Sequence, residues 1–371
     1  MLDRQKLLKQ LNLLDQNFFC QADGQIVLAQ KAWNLIKNDS FLAETLQSKK
    51  WSVLVPFWQG VLGQTFDIES QPHPYEILAV DGSQIYYDRH QGPACYLINV
   101  GSVFFSYGLK QSRIQFESTP RVIMLGADDT TGMGAEVVNL MREQDEFAHA
   151  ADCAQKIIKA SQALFLTLFD GTLIFFQTDG HIDQKQLHFA KLMESFQKLY
   201  DQKILYAGYV SFPRSKELVN ILKLVLAGFD EKKEEFLSLQ ALSDMDIAKL
   251  FLQPGQRSIV FESKAVVSYL YPKHLKPYFC YVHVGSEIAR LEFPAWIAQD
   301  VTLVDQVCGI VFDQVCKGQG YPVCLFEAHE QAVIKSLDRD FFYHMIQKKV
   351  QQQASTYQIS KKSLKKVLVP V

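Results

Sequence analysis

Two aspartates stand in matching contexts. Asp81 follows the apolar run of "YEILAVDGSQIYYDRH", and Asp170 follows that of "ALFLTLFDGTLIFFQ"; glycine and then a hydroxyl residue, Ser83 or Thr172, come next in both. If the two apolar runs are adjacent strands of one sheet, the carboxylates converge at its edge, and the glycines let a backbone or a phosphate come close. Converged carboxylates want a divalent cation, and an oxygen-only set suits Mg²⁺ or Mn²⁺ rather than zinc. Two such ions about 3.5–4 Å apart activate a water, orient a phosphodiester and stabilise the leaving oxygen of an in-line displacement. The segment between the aspartates carries Glu143 and Glu146, either of which would supply a third carboxylate. An Asp-Gly pair between apolar runs is also a common hairpin-turn signal, and a single copy would read that way. The second copy, with a helix between the two, favours a site.

Further along, "GYPVCLFEAHEQAVI" sets Tyr321 and His329 on either side of a short apolar stretch after Pro322, opening onto a helix. A lone histidine is more often a structural hydrogen-bonder. Beside a metal centre it would bind metal, hold the scissile phosphate or assist proton transfer near neutral pH.

Positioning these groups requires an α/β arrangement. Residues 1–69 read as a helical arm, with Leu7, Leu8, Leu11 and Leu14 at helical spacing, closed by the break at "ESQPHPYE". From 76 to 127 the segments are rich in Val, Ile, Tyr and Phe and punctuated by Gly, which predicts strands. Residues 134–162 carry Val138, Met141, Phe147 and Ala151 on one side and predict an amphipathic helix that leads into the buried strand "ALFLTLF". A helix over 183–201, the strand "LYAGYVSFP", helices over 215–253 and strands over 256–296 follow. In the second half "TLVDQVCGIVFDQVCKG" predicts a helix, "GYPVCLFEAH" a loop or strand, and the residues after it a C-terminal helix. The expected division is an N-terminal arm at 1–69, one continuous α/β domain at 70–350 and a basic tail at 351–371.

With 371 residues, 48% of them hydrophobic, the chain can bury a large core, and its net charge of −2 gives no overall pull toward nucleic acid or anionic lipid. Any polyanion site must be a local patch. The seven cysteines are scattered, odd in number and without a CxxC pair, which is the usage of small buried hydrophobes in a reducing cytoplasm rather than of a zinc site or a disulfide frame. The charges within the N-terminal apolar pattern do not suit a signal peptide, and no window suits a membrane span. The expectation is a cytoplasmic protein with no membrane partner.

Taken in order, "AVDGS", "LMREQDEF", "LFDGTL", "AGYVSFPRSKELVNIL", "RLEFPAW" and "GYPVCLFEAH" resemble the NurA family of DNA-end-processing nucleases over residues 76 to 345. The resemblance implies an RNase H-like mixed sheet flanked by helices, Mn²⁺ (or Mg²⁺) as cofactor, a homodimer, DNA as substrate and a hexameric HerA-type ATPase as partner in resecting DNA ends, with 5′ to 3′ exonuclease and single-strand endonuclease activity. It implies Asp81, Glu146 and Asp170 as metal ligands, with Tyr321 and His329 as further catalytic residues. Glu146 is assigned because the family pattern looks like an Arg followed four residues later by Glu, here from Arg142; Glu143, one turn earlier, competes. A net acidic chain departs from what gripping phosphates requires, so either the DNA path is a narrow local groove, shared between two subunits and lined by residues such as Arg214, Lys216, Arg257 and Lys264, or the partner ATPase supplies much of the binding. The alternative reading is an actin- or sugar-kinase-like ATPase, whose relatives also use two Asp-Gly-Ser/Thr turns to cradle phosphates. Those proteins carry a late Gly-rich segment, which "GYPVCLFEAH" is not. A non-catalytic assembly protein is a third reading, and the retained carboxylates speak against it.

Overall fold

A computed structural model of the chain describes residues 2–13, 17–70, 74–88, 95–109, 112–124, 134–161, 163–175 and 182–353. The expected basic tail, apart from its first residues, lies outside these. The chain begins with helices α1 (Arg4–Asn12), α2 (Asn17–Ile36) and α3 (Leu42–Gln47) and the short strands β1 (Phe57–Trp58) and β2 (Thr65–Asp67). Strands β3 (Tyr75–Ile85), β4 (Cys95–Tyr107) and β5 (Ile114–Met124) come next, then helix α4 (Ala135–Ile158), strand β6 (Leu164–Asp170), helix α5 (Ile182–Asp201) and strand β7 (Leu205–Ser211). Helices α6 (Glu217–Leu226) and α7 (Asp244–Ala248) precede strands β8 (Gln256–Ser258), β9 (Phe261–Glu262), β10 (Pro277–His283) and β11 (Ile288–Pro294). Helices α8 (Ala295–Ala298), α9 (Val301–Lys317), α10 (Val323–Ala332) and α11 (Ser336–Gln353) complete the described chain.

Residues 57–58 and 65–67 of the expected helical arm are the strands β1 and β2, and two further segments also differ from the sequence expectation. "GYPVCLFEAH" is neither loop nor strand: Pro322 stands at the N-cap of α10, where its fixed φ suits a helix start, and the helix runs through His329. "AVVSYLY" is a 3₁₀ turn over Val266–Leu270 rather than a strand, with Val266, Tyr269 and Leu270 exposed.

The residues fall into two compact units, and the division does not follow the one expected. Residues 1–69 join 209–308 in the first unit; residues 70–208 join 309–371 in the second. The N-terminal segment is therefore part of a core rather than a free arm. Its apolar residues Ala29, Trp33, Ile36, Leu42, Leu46 and Trp58 are buried in one cluster with Leu218, Leu222, Ile247, Phe261 and Phe279, and the Trp33 ring stacks on Phe251 with centroids 4.3 Å apart. In this unit β10 pairs antiparallel with β11 and with β9, β9 with β1, and β2 with β8.

The polar centre of the first unit is Asp244, which is fully buried. It accepts hydrogen bonds from the backbone N–H groups of Glu217, Leu218 and Val219 at 2.8, 2.8 and 3.0 Å, and so holds the N-terminus of α6 from another element. The hydroxyls of Ser215 and Tyr281 donate to it as well, each at 2.7 Å. Burial and the neighbouring charge of Glu217 push Asp244 up to about 7, against the hydrogen bonds that favour its ionised form. Arg290 answers the nearby acids, donating to Glu217 and Glu292.

In the second unit β3 pairs antiparallel with β4 and β4 with β5, while β6 runs parallel to β3 and β7 lies beside β6. The order β5-β4-β3-β6-β7, with this sense of pairing, is that of an RNase H-like mixed sheet. Tyr75 through Val80 are buried without alternation, because both faces of β3 are covered. Gln84 on β3 donates to Asn139 of α4, whereas Ser83 donates to the carbonyl of Ala332 at the end of α10. Successive strand residues point to opposite faces, so α4 and α10 cover the two sides of β3. Val138, Phe147, Ala150, Ala151 and Ala154 line the buried side of α4 at helical spacing. No described helix is long and apolar enough to cross a membrane.

Removing the Asp244 carboxylate leaves three helix-start N–H groups buried without their acceptor and takes from the Ser215 and Tyr281 hydroxyls, 3.2 Å apart, the oxygen both donate to. Asp244→Ala is expected to destabilise the protein by roughly 3–5 kcal/mol, measured as a lowered midpoint in urea denaturation. A change within about 0.5 kcal/mol, as for a surface substitution, would contradict this role.

Candidate active site

The parallel pairing of β3 with β6 has a register that matches Val80 with Phe169. One step further along both strands lie Asp81 and Asp170. Residues paired across a sheet point to the same face, so the two carboxylates stand side by side where β6 ends. Asp81 does not close a strand: β3 continues through Gly82 to Ile85, still paired with β4. The first Asp-Gly is therefore mid-strand rather than a hairpin turn. The second does end a strand, where Gly171 takes a φ of +109°, a conformation that side-chain-bearing residues rarely adopt. Thr172 supports the turn there, its hydroxyl accepting from the N–H of Ile174 at 2.9 Å.

The α10 segment meets this pair from one face. His329 Nδ1 lies 2.8 Å from Asp81 Oδ2, and the Gly82 N–H donates to Asp81 Oδ1 at 2.7 Å. The Tyr321 hydroxyl donates to Asp170. Burial raises Asp170 above the ordinary carboxylate range; the Tyr321 hydrogen bond counters this, the Asp81 charge adds to it, and nearby His329 opposes it. Tyr321 itself is pushed up by burial and then by the Asp170 charge, so it stays a protonated donor at neutral pH.

Glu146 arrives from the opposite face. It is buried on α4 directly over Gly82: a Cβ at residue 82 would overlap the Glu146 carboxyl and lie 2.9 Å from Arg142 Cγ. The missing side chain is what lets a helical carboxylate reach the strand at the position next to Asp81. Arg142, one turn earlier, forms an ion pair with Glu146 and lies 3.5 Å from the Gly82 carbonyl. Burial nonetheless pushes Glu146 up to about 8, with Arg142 opposing and the charges of Asp81 and Glu143 adding.

The two competing glutamates thus have different surroundings. Glu146 sits against the strand beside Asp81, while Glu143 turns toward α5 and meets His188 Nε2 at 3.3 Å. Glu143, Glu146, Asp170, Thr172 and His188 line one cleft of about 450 Å³, which reaches the site from the α4 and α5 side. His188 was not legible in the sequence, since it belongs to no motif and is defined only by the packing of α5 on α4. Its Nδ1 is buried with no partner among the described residues.

The structure therefore gathers Asp81, Asp170, Tyr321 and His329 on one face and brings Glu146 to the same strand from the other. The donor atoms of Asp81, Glu146 and Asp170 are spread more widely than the 4.8 Å that joins the one close trio of potential ligands among the described residues, Glu117, His149 and Cys153. An oxygen-only set of three carboxylates, two of them raised by burial, has the chemistry of a hard divalent cation site. Of the basic residues expected along a DNA path, Arg257 is withdrawn: it is buried and bonded to Asp305. Lys264 is engaged with Glu262, Lys216 donates to the Gln240 carbonyl, and Arg214 is exposed. All four belong to the first unit.

The sheet and its carboxylates define an α/β protein of RNase H-like type with acidic residues on adjacent central strands. The NurA domain model matches residues 75–334, and the chain belongs to the NurA family of nuclease domains. Among solved structures it is similar to a NurA crystal structure at 12% identity, covering 79% of this chain and 92% of that one with a TM-score of 0.41. A second, NurA bound to dAMP and manganese, is 11% identical over 91% of this chain and 95% of the other, with a TM-score of 0.36. RuvC from Thermus thermophilus is 8% identical over 47% of this chain and 92% of that chain, with a TM-score of 0.17. No curated protein sequence matches.

The raised value of Glu146 has a consequence for stability. Its folded value lies above its ordinary 4.5, so the neutral acid is favoured in the fold; this contribution is complete below about 4.5 and is lost as pH rises through about 8. Glutamine keeps the neutral shape. In metal-free protein, Glu146→Gln is expected to raise Tm at pH 8.5 and to leave it nearly unchanged at pH 4.5. An equal shift at both pH values in thermal melts would show that Glu146 does not titrate in this way.

Proposed function

We propose that the protein is a metal-dependent deoxyribonuclease that hydrolyses phosphodiester bonds at DNA ends. The observation that carries this reading is the adjacent placement of Asp81 and Asp170 on one sheet face, with His329 on the first and Tyr321 on the second. Asp81, Asp170 and Glu146 are the residues that would hold Mn²⁺ or Mg²⁺. Bound there, the ion would act as a Lewis acid toward a phosphate oxygen and lower the pKa of a water.

The side chains have separable roles in this reading. Asp81 and Asp170 supply the negative charge that selects a cation at the sheet edge. Tyr321 orients the Asp170 carboxylate through its hydroxyl. With its proton on Nδ1 and directed at Asp81, His329 presents the Nε2 lone pair on a half-exposed ring, placed to accept a proton and return it. Arg142 balances Glu146 until a cation does so.

The finer reading is a 5′ to 3′ exonuclease with single-strand endonuclease activity, acting in resection with a HerA-type ATPase as a homodimer. Support for an assembly comes from β5, which lies at the end of the strand order of the second unit and carries Ile114, Phe116, Val122 and Met124 exposed on one face. A row of exposed apolar residues on an end strand is a surface that a second copy would cover.

Mn²⁺-dependent release of nucleotides from end-labelled DNA tests the activity. Asp81→Asn and Asp170→Asn are each expected to lower kcat by about 10³-fold or more, and His329→Gln by about 10²-fold; activity unchanged in either aspartate variant, or ATP hydrolysis with intact DNA, would refute the reading. The assembly is tested by light scattering on eluting protein, where Phe116→Glu is expected to convert a dimer into a monomer. A wild-type monomer, or a dimer unaffected by the substitution, would remove β5 from the interface.

A further inference from the structure

We propose that Glu117, His149 and Cys153 form a second metal site, separate from the carboxylates of the candidate active site, and that its ion is Zn²⁺. Each residue offers one donor atom, and these atoms all lie within 4.8 Å of one another. His149 and Cys153 are one turn apart on α4 and share a face of the helix, with Cys153 Sγ 3.4 Å from His149 Nε2. Glu117 comes from β5, where it pairs in register with Ser102 of β4, and the Ser102 hydroxyl lies 3.1 Å from the same His149 nitrogen. Two elements, α4 and β5, thus aim three different ligands at one spot, with Ser102 of β4 beside them.

The donor set decides the cation. One imidazole nitrogen, one sulfur and one carboxylate oxygen make a borderline-soft set, which suits zinc and not Mg²⁺ or Mn²⁺. Cys153 would bind as thiolate, its proton released to solvent as the ion enters. Thiolate and carboxylate together carry two negative charges, which match Zn²⁺, and the Lys156 ammonium and Asp152 carboxylate nearby offset each other. A cavity of about 170 Å³ bordered by Ser102, Glu117, Cys153 and Lys156 gives the ion a way in and leaves a position for water.

None of the three ligands belongs to the set that holds the aspartates, and α4 is common to both sites. The ion would tie the end strand β5 to the helix that carries Glu146.

Binding of Zn²⁺ and of Co²⁺ to purified full-length protein, without DNA, tests the site. Wild type is expected to bind cobalt with a thiolate-to-metal charge-transfer band in the near ultraviolet and to melt at higher temperature with zinc. Cys153→Ala is expected to lose the band and to bind zinc at least about tenfold more weakly, while Asp81→Asn keeps both. Circular dichroism of the metal-free proteins checks that the variants fold, and Glu117→Gln, at an exposed position, is expected to weaken zinc in the same direction should Cys153→Ala misfold. No zinc binding by wild type, a missing charge-transfer band, or zinc lost in Asp81→Asn but kept in folded Cys153→Ala would each overturn the proposal.

Discussion

The parallel register between β3 and β6 is the constraint on which the candidate site depends. Two carboxylates that repel each other and lose hydration on burial would not come together unaided. They are brought together by the strands behind them, whose apolar residues are buried at Tyr75, Ile77 and Ala79 on one and at Leu166 and Leu168 on the other. A slip of one residue would send one aspartate to the opposite face and separate the pair. The apolar core therefore fixes the acid pair, and the free energy of burying those side chains offsets its repulsion.

Around that pair the protein supplies partial answers to the charge. His329 and Tyr321 meet the aspartates from α10 and the segment before it, and Arg142 meets Glu146 on α4. Glu146 remains raised because one partly exposed guanidinium does not replace the water that burial removes. Gly82 is the hinge of this geometry. Any side chain there would hold α4 away from the strand, and Glu146 would no longer share the electrostatic surroundings of Asp81.

The first unit solves a similar difficulty in a different way. Asp244 is buried beside Glu217, yet five donors converge on it and Arg290 neutralises its neighbours. The arrangement starts helix α6 without a local capping side chain. A buried acid with a full set of donors is a structural element, whereas one short of donors, like Glu146, is a place where a cation would be welcome.

The sequence by itself determined most element types in the second unit, the recurrence of the Asp-Gly motif and the family, because strand and helix periodicities and motif order are local properties of the chain; "GYPVCLFEAH", a helix where a loop or strand was expected, is the exception. Asp81, Asp170, Tyr321 and His329 stood out as candidates for that reason, and the fold brings them together. Tertiary structure decided what depends on contacts between distant segments. It separated Glu146 from Glu143 through the absent side chain at residue 82, and it brought His188 onto Glu143. It also turned the N-terminal helices from an expected arm into part of a core with residues 209–308, and it withdrew Arg257 from the expected DNA path by burying it on Asp305. Cys153 shows the division most plainly. Its spacing from other cysteines rules out a zinc motif along the chain, yet α4 and β5 fold it against a histidine and a glutamate, because ligands are gathered by packing in space as readily as by order in sequence.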